Sequence, residues 1–269
     1  MLPETFAAAP DKKLKSDLIR LFTTSYRESN AGRAAEYLQC LRNNLQHTLI
    51  HEVCVLDENC GWLPTHDKIR VRTVKSRPTY ADFFQWINQL CTPQDMSIIA
   101  NSDIYFDETL SLLTRGLLPD TCAALSRWDV LPAGTCQLFD RNDSQDVWAF
   151  LGSVRTVTSD FLLGVPRCDN RILFELRAAG YQVINPAFTI RAQHLHAGVR
   201  TEYPAVPEGP FVPGPYAYLF PHNLMSLPQL LLCRLLRTDG GAAYRIDRRL
   251  LGRLRPDRIL KRSLRKLLR

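Results

Sequence analysis

The 269-residue chain reads as an α/β protein on a mixed, mostly parallel sheet flanked by helices, with a basic helical tail. Three observations lead there. Short apolar runs alternate with stretches of three- and four-residue apolar spacing over the first hundred residues or so, the pattern of strands and helices packed in layers. Polar residues fall just after those runs, at Thr23, Asp57, Arg77 and Asp103, and a parallel sheet gathers its strand ends along one crevice. Charge is segregated. Arg234–Arg269 holds 13 Lys+Arg against 3 Asp+Glu, whereas the residues before it carry a net −3.

Asp17–Thr24 reads as a first strand ending in the loop Thr23-Thr24-Ser25-Tyr26. Ala31–Asn44 is helical, because Ala35, Leu38, Leu41 and Leu45 recur on one face. Glu52–Leu56 is a second strand with Asp57-Glu58-Asn59 at its exit, and Ile69–Val74 a third. Arg77-Pro78-Thr79-Tyr80 opens a helix that runs to about Leu90, with Phe83, Phe84 and Ile87 on one side. Ser97–Ala100 is a fourth strand, interrupted at Asn101-Ser102-Asp103; Asp107-Glu108-Thr109 then suggests a helix start. Further on, Ala123–Arg127 reads as a strand ending in Trp128-Asp129. Ser144–Phe150 follows a polar loop. A helix spans about Asn170–Ala179 and stops at Gly180, a natural residue just past a helix end. Tyr181–Ile184 is a strand, and Thr189–His196 an extended segment carrying His194 and His196 on one side.

This order divides the chain into a flexible lead-in (1–15), a catalytic-type domain (16–222) and a basic amphipathic tail (223–269). In the tail, Ile259, Leu260, Leu264, Leu267 and Leu268 share a helical face flanked by Lys261, Arg262, Arg265 and Arg269. That composition suits an interfacial helix on an anionic membrane, the reading favoured here, and also a solvated helix packed on the body or an RNA-adherent tail. The near-neutral body gives no electrostatic footprint for nucleic acid. No apolar run approaches the ~20 residues that span a bilayer, and MLPETFAAAPDKKLK lacks the pattern of a secretory signal. Eight scattered cysteines without CxxC spacing fit reduced thiols in the cytoplasm.

The stretch SIIANSDIYFDETL, Ser97–Leu110, delivers a carboxylate, Asp103, at the C-terminal end of a buried strand. A hard cation bridging two phosphates needs such an oxygen ligand. Asp103 and Asp107 also read as plain strand-end and helix-start chemistry.

The ordered set LFTTSY, VLDEN, RPTY, ANSDIYFD, SQDVW, LGVPRCDNRI, GYQVINP and HLH resembles the GT-A class of nucleotide-sugar glycosyltransferases, family 2-like, from about Asp17 to Tyr203. The resemblance implies a GT-A-type, Rossmann-like fold and transfer of a sugar from a nucleotide-sugar donor to an acceptor hydroxyl. It implies Mn²⁺ or Mg²⁺ held by Asp103, with His194 or His196 completing the site; Asn101 stands where the class carries a first carboxylate. Asp169, at the start of the late helix, matches the catalytic base of inverting members. Thr23, Thr24, Asp57, Arg77, Tyr80, Asn101 and Ser102 match nucleotide-binding positions, and Asp146, Trp148 and Asn170 substrate-binding ones. The acceptor is a glycan, a lipid-linked molecule or a small molecule, in polysaccharide or glycoconjugate synthesis. The tail would set the protein at the inner face of a membrane.

Several residues carry a second reading. Asp169-Asn170 also suits a helix cap, Trp148 also suits core, and Asp57 also suits a turn. A sugar nucleotidyltransferase would need a richer phosphate loop than LFTTSYRESNAGR. A membrane-associated binding module on a degenerate transferase fold would need no catalytic residues. The segment Gly209–Pro221, rich in proline and aromatics, reads as a rigid loop.

Overall fold

The structure is a computed structural model that describes residues 18–131, 133–196 and 211–224. The lead-in and nearly all of the basic tail, including the amphipathic helix expected there and Cys233, lie outside the described residues.

Strand β1 (Ile19–Ser25) leads into helix α1 (Ala31–Gln46), whose N-cap Asn30 accepts hydrogen bonds from the N–H groups of Gly32 and Arg33. Strands β2 (Glu52–Asp57) and β3 (Ile69–Thr73) precede helix α2 (Tyr80–Leu90). Thr79 and Asp82 close a reciprocal capping box there, fixing the start of α2 directly after Arg77-Pro78. Strand β4 (Met96–Ala100), short strand β5 (Ile104–Phe106) and helix α3 (Leu110–Gly116) follow. The helix start expected at Asp107-Glu108-Thr109 is met, with Thr109 as the N-cap of α3; Asp107 Oδ1 accepts from the N–H and hydroxyl of Thr109, holding the turn before the helix.

Next come strands β6 (Thr121–Leu125), β7 (Arg127–Val130), β8 (Cys136–Leu138) and β9 (Val147–Leu151). The single strand expected from Ala123 to Asp129 is therefore two strands broken at Ser126. The break has a tertiary cause: Ser126 donates its N–H to Asn185 Oδ1 (3.1 Å) and accepts at Oγ from Asn185 Nδ2 (3.0 Å). Those bonds turn the chain out of one sheet and into another. Helix α4 (Cys168–Ala178) starts two residues before the expected Asn170, and strands β10 (Gln182–Ile184) and β11 (Ala192–Leu195) complete the order. Between α4 and β10, Gly180 adopts φ +84°, a left-handed conformation that suits glycine after a helix.

The main sheet has the order β10-β6-β9-β4-β1-β2-β3, and a second sheet the order β5-β11-β7-β8. In the main sheet β1 pairs in parallel with β2 and β4, β2 with β3, and β6 with β10, while β9 runs against β4 and β6. This is the mixed, mostly parallel α/β sheet expected from the sequence. Alternate residues of each strand feed opposite faces. One core joins Leu21, Val53, Ile98, Ala123 and Ala149 to Leu41 and Leu45 of α1 and to Leu110 and Leu113 of α3. The other joins Phe22, Leu56, Ile99 and Phe150 to Phe83 and Ile87 of α2 and to Ile172 and Leu176 of α4. Burial on both faces leaves the C-terminal strand ends as the place where polar side chains can gather.

Candidate functional site

Asp103 stands between β4 and β5. The turn that carries it is held from two sides. Ser102 Oγ donates to the carbonyl of Thr24 (2.8 Å) and accepts from Thr24 Oγ1 (3.0 Å), joining the ends of β1 and β4. Asn44 of α1 donates through Nδ2 to Ile104 O (2.9 Å) and accepts from Phe106 N–H (3.2 Å). Helix α1 is thereby clamped to β5 right beside the carboxylate.

The second sheet brings the histidines to this turn. Strand β11 pairs antiparallel with β5 and in parallel with β7, so His194 lies opposite Ile104 on one side and Asp129 on the other. His194 Nε2 is 3.2 Å from Asp103 Oδ2, and its Nδ1 is 2.8 Å from Asp129 Oδ1. His196 stacks on His194 with ring centroids 5.7 Å apart and 10° between planes. Burial favours a neutral imidazole at His194, yet hydrogen bonds to Asp103 and Asp129 outweigh it and raise its pKa above the ordinary value. Asp103 moves the other way. Burial alone would raise its pKa, but the hydrogen bond and charge of His194, reinforced by Arg33, pull it down to about 2. Its Oδ2 takes both partners, while the buried Oδ1 has no hydrogen-bond partner.

From Asp129 the network continues. Arg127 Nε donates to Asp129 Oδ1 (3.0 Å), and its Nη1 lies 3.2 and 3.3 Å from the two oxygens of Asp146. The guanidinium stacks over Phe139 at 4.0 Å. Asn101 Nδ2 donates to Asp146 Oδ1 (3.0 Å). Asp103, His194, Asp129, Arg127, Asp146 and Asn101 therefore form a connected circuit of side chains whose two ends, Asp103 and Asn101, are joined only by the backbone of the turn after β4.

Asp169 faces this circuit from the first turn of α4. It does not cap the helix, because the N-cap is Arg167, with φ +70° and no side-chain cap bond. Burial, and then the negative charge of Asp146, raise the Asp169 pKa to about 7, against the opposing pull of the Cys168 thiol and Arg127. Cys168 donates its thiol proton to Asp169 Oδ1 at 3.2 Å. Two carboxyl groups on one sheet end are thus shifted in opposite directions, the pattern that separates acid/base work from charge work.

Asn101, Ser102, Asp103, Thr24, Asp146, His194 and His196 meet directly or through one bond, and Asp169 faces them. Asp57 and Arg77 lie at the neighbouring strand ends. Asp57 Oδ1 accepts from the Ser25 hydroxyl (2.6 Å) and the Cys60 N–H (3.0 Å). Despite burial, these bonds keep its pKa below the ordinary value. Arg77 is exposed, its guanidinium 5.7 Å from the Tyr26 ring. Thr23 lines a small cavity beneath α1 with Leu21, Tyr37 and Trp62.

Three expected contact residues are placed elsewhere. Tyr80 and Trp148 are completely buried and meet edge to face at 5.2 Å in the core beneath the sheet, because their strand and helix positions point inward. Neither offers a surface to a nucleotide or a sugar. Asn170 is also buried, and its Nδ2 donates to the carbonyl of Ala217 while its own carbonyl accepts from the Ala217 N–H. It holds down the segment that was expected as a rigid loop, which crosses the fold as a strap.

Arg33, Arg127 and Asp129 escaped the sequence reading. Arg127 and Asp129 alternate along one strand and share a face, a signal present in the sequence. Arg33 gives no such signal beyond its spacing from Glu36.

No family model matches this chain, and no curated protein matches it. Among solved structures it is similar to a mannosyltransferase from Pyrobaculum calidifontis in complex with GDP-Man and Mn²⁺, at 15% identity and a TM-score of 0.43, covering 65% of this chain and 56% of that one. It is also similar to 4-diphosphocytidyl-2C-methyl-D-erythritol synthase from Anaerococcus prevotii, at 11% identity and a TM-score of 0.33, covering 51% and 71% respectively. The chain thus spans little more than half the length of the mannosyltransferase.

Proposed function

We propose that this protein is a glycosyltransferase that moves a sugar from a nucleotide-sugar donor to an acceptor hydroxyl. One observation carries the reading: Asp103 and Asp169 stand at the same sheet end with pKa values driven to about 2 and about 7. The first is a fixed negative charge; the second can take a proton near neutral pH. In the reaction, the acceptor oxygen forms a bond to the anomeric carbon as the bond from that carbon to the diphosphate oxygen breaks. Asp169 takes the hydroxyl proton, which favours an inverting displacement. Arg77, just before the N-terminus of α2, offers positive charge to the phosphates.

The residues suit a divalent cation in part. The unpartnered, buried Asp103 Oδ1 is a hard oxygen donor, and a nearby imidazole adds a nitrogen that Mn²⁺ accepts. Among the described residues no group of three or more His, Cys, Asp or Glu side chains could hold a metal ion. Asp103 and His194 or His196 would therefore hold Mn²⁺ or Mg²⁺ together with donor phosphate oxygens. When bound, the cation neutralises charge on the departing diphosphate.

The test is thermal-shift screening against UDP-, GDP- and CDP-sugars with and without Mn²⁺, followed by turnover assays on any hit. Stabilisation by a nucleotide-sugar that needs Mn²⁺ and is lost in Asp103→Ala is the expected result. Full turnover by Asp103→Ala removes Asp103 from the mechanism. Pyrophosphate release from a nucleoside triphosphate and a sugar phosphate would favour nucleotidyl transfer instead.

A further inference from the structure

Arg33 has no part in the chemistry above, yet it touches the two side chains best placed to hold a cation. It is the third residue of α1, where the positive end of the helix dipole disfavours a cation, and the first turn of α1 holds no acidic residue. Contacts outside the turn hold it there. Its Nη2 donates to Asp103 Oδ2 at 2.8 Å, and its Nη1 lies 2.6 Å from His196 Nδ1. Glu36 pairs with the same Nη1, which also donates to Leu195 O at 3.4 Å. Tyr37 packs its ring 4.9 Å from the guanidinium carbon.

A hydrogen bond and a metal bond use the same lone pair. The guanidinium covers Nδ1 of His196 and, together with His194, Oδ2 of Asp103. A cation taking the open Oδ1 would therefore meet the charge of Arg33 and an imidazole already engaged by it. A diphosphate is a planar guanidinium's preferred alternative partner, with two acceptors and more negative charge than one carboxylate.

We propose that Arg33 is an internal competitor for the divalent cation. Its guanidinium closes the metal corner in the free protein, and the donor's diphosphate opens that corner by drawing Arg33 away from Asp103 and His196. Metal and nucleotide then favour each other reciprocally, as linkage requires. This rests on Asp103 as a metal ligand in the proposed transfer reaction.

Mn²⁺ binding, followed by electron paramagnetic resonance of the free ion, tests it without any turnover. Arg33→Met in the absence of nucleotide should bind Mn²⁺ at least about tenfold more tightly than the unmodified protein. Arg33→Lys should fall between, because a point charge cannot bridge both partners. Adding Glu36→Gln to Arg33→Met should preserve the gain, which excludes the released Glu36 as its source. In the unmodified protein GDP or UDP should raise Mn²⁺ affinity more than it does in Arg33→Met, and Arg33→Lys serves for that comparison if Arg33→Met does not fold. Equal Mn²⁺ affinity in the unmodified protein and the folded Arg33 variants overturns the inference while leaving the transferase reading standing. No Mn²⁺ binding by any form, with or without nucleotide, removes the metal assignment of Asp103 and the inference with it.

Discussion

Asp103 and Asp169 share one side-chain chemistry and are driven apart by their neighbours. Asp103 has Arg33 and His194 on Oδ2, whereas Asp169 has a thiol, the more distant charge of Arg127 and a main-chain N–H from Gln145 against burial and the charge of Asp146. The consequences with pH have opposite signs. Asp103, depressed to about 2, contributes stability at neutral pH that is lost only in strong acid. Asp169 is raised, so the folded state holds a proton that the unfolded chain releases, and stability falls as pH rises from the ordinary carboxylate range through about 7. His194, also raised, adds a contribution that is full in acid and lost as pH rises through its folded pKa. Asp169→Asn should therefore narrow the difference in urea-unfolding free energy between pH 5 and pH 8. In its proposed role as proton acceptor, Asp169 should make turnover rise with pH through about 7, and Asp169→Asn should lower kcat by about 10²–10⁴-fold. A pH-independent kcat between pH 5 and 9 would remove it from that role.

At the scale of elements, the site is built by two attachments of the turn after β4. One is the Thr24–Ser102 pair that ties it to β1. The other is Asn44, a buried polar residue on the inward face of α1 that satisfies the carbonyl of Ile104 and the N–H of Phe106. Asn44→Ala leaves both groups buried without a partner and should cost about 3 kcal/mol in denaturant unfolding. Because α1 also carries Arg33 to Asp103, the same variant should weaken nucleotide-dependent stabilisation beyond what lost stability explains. The elements themselves were largely legible in the chain. Phe83, Phe84 and Ile87 announce α2 by spacing, Arg77-Pro78-Thr79-Tyr80 announces its start, and Gly180 announces the end of α4. The break at Ser126 was not legible, because Thr121–Val130 is continuously strand-like and the residue that bends it, Asn185, lies 59 positions away.

For the molecule as a whole, Arg127 links the two sheets and the two halves of the site. It reaches from β7 to Asp146, at the entry to β9, and through Asp129 to His194 on β11. The groups facing Asp169 are Asp146, Arg127, Cys168, the Gln145 N–H and, from α2, the Tyr80 hydroxyl, whose proton goes to Cys168 Sγ at 3.8 Å. Of these, Arg127 is the cation that lowers the Asp169 pKa. Arg127→Met should move the Asp169 titration upward from about 7, read by ¹³C NMR of the carboxyl carbon with Asp169→Asn giving the assignment. It should also destabilise the fold by about 3 kcal/mol, since Asp129 and Asp146 lose a shared partner. An unmoved Asp169 titration in a folded Arg127→Met protein would show the linkage to be structural only.

The sequence by itself determined the layered α/β architecture, the strand ends where Asp57, Arg77 and Asp103 sit, and the shared side of His194 and His196. Each of these follows from local periodicity, which depends on residues only a few positions apart. Tertiary structure decided which side chains meet. It buried Tyr80, Trp148 and Asn170, whose types suit either core or ligand. It also brought Arg33 and Arg127, 70 and 24 positions from Asp103 along the chain, into the circuit around it. Hydrogen bonds across strands that are distant in sequence leave no periodic trace, so the network that sets the charge of Asp103 and Asp169 emerges only when the sheets have formed.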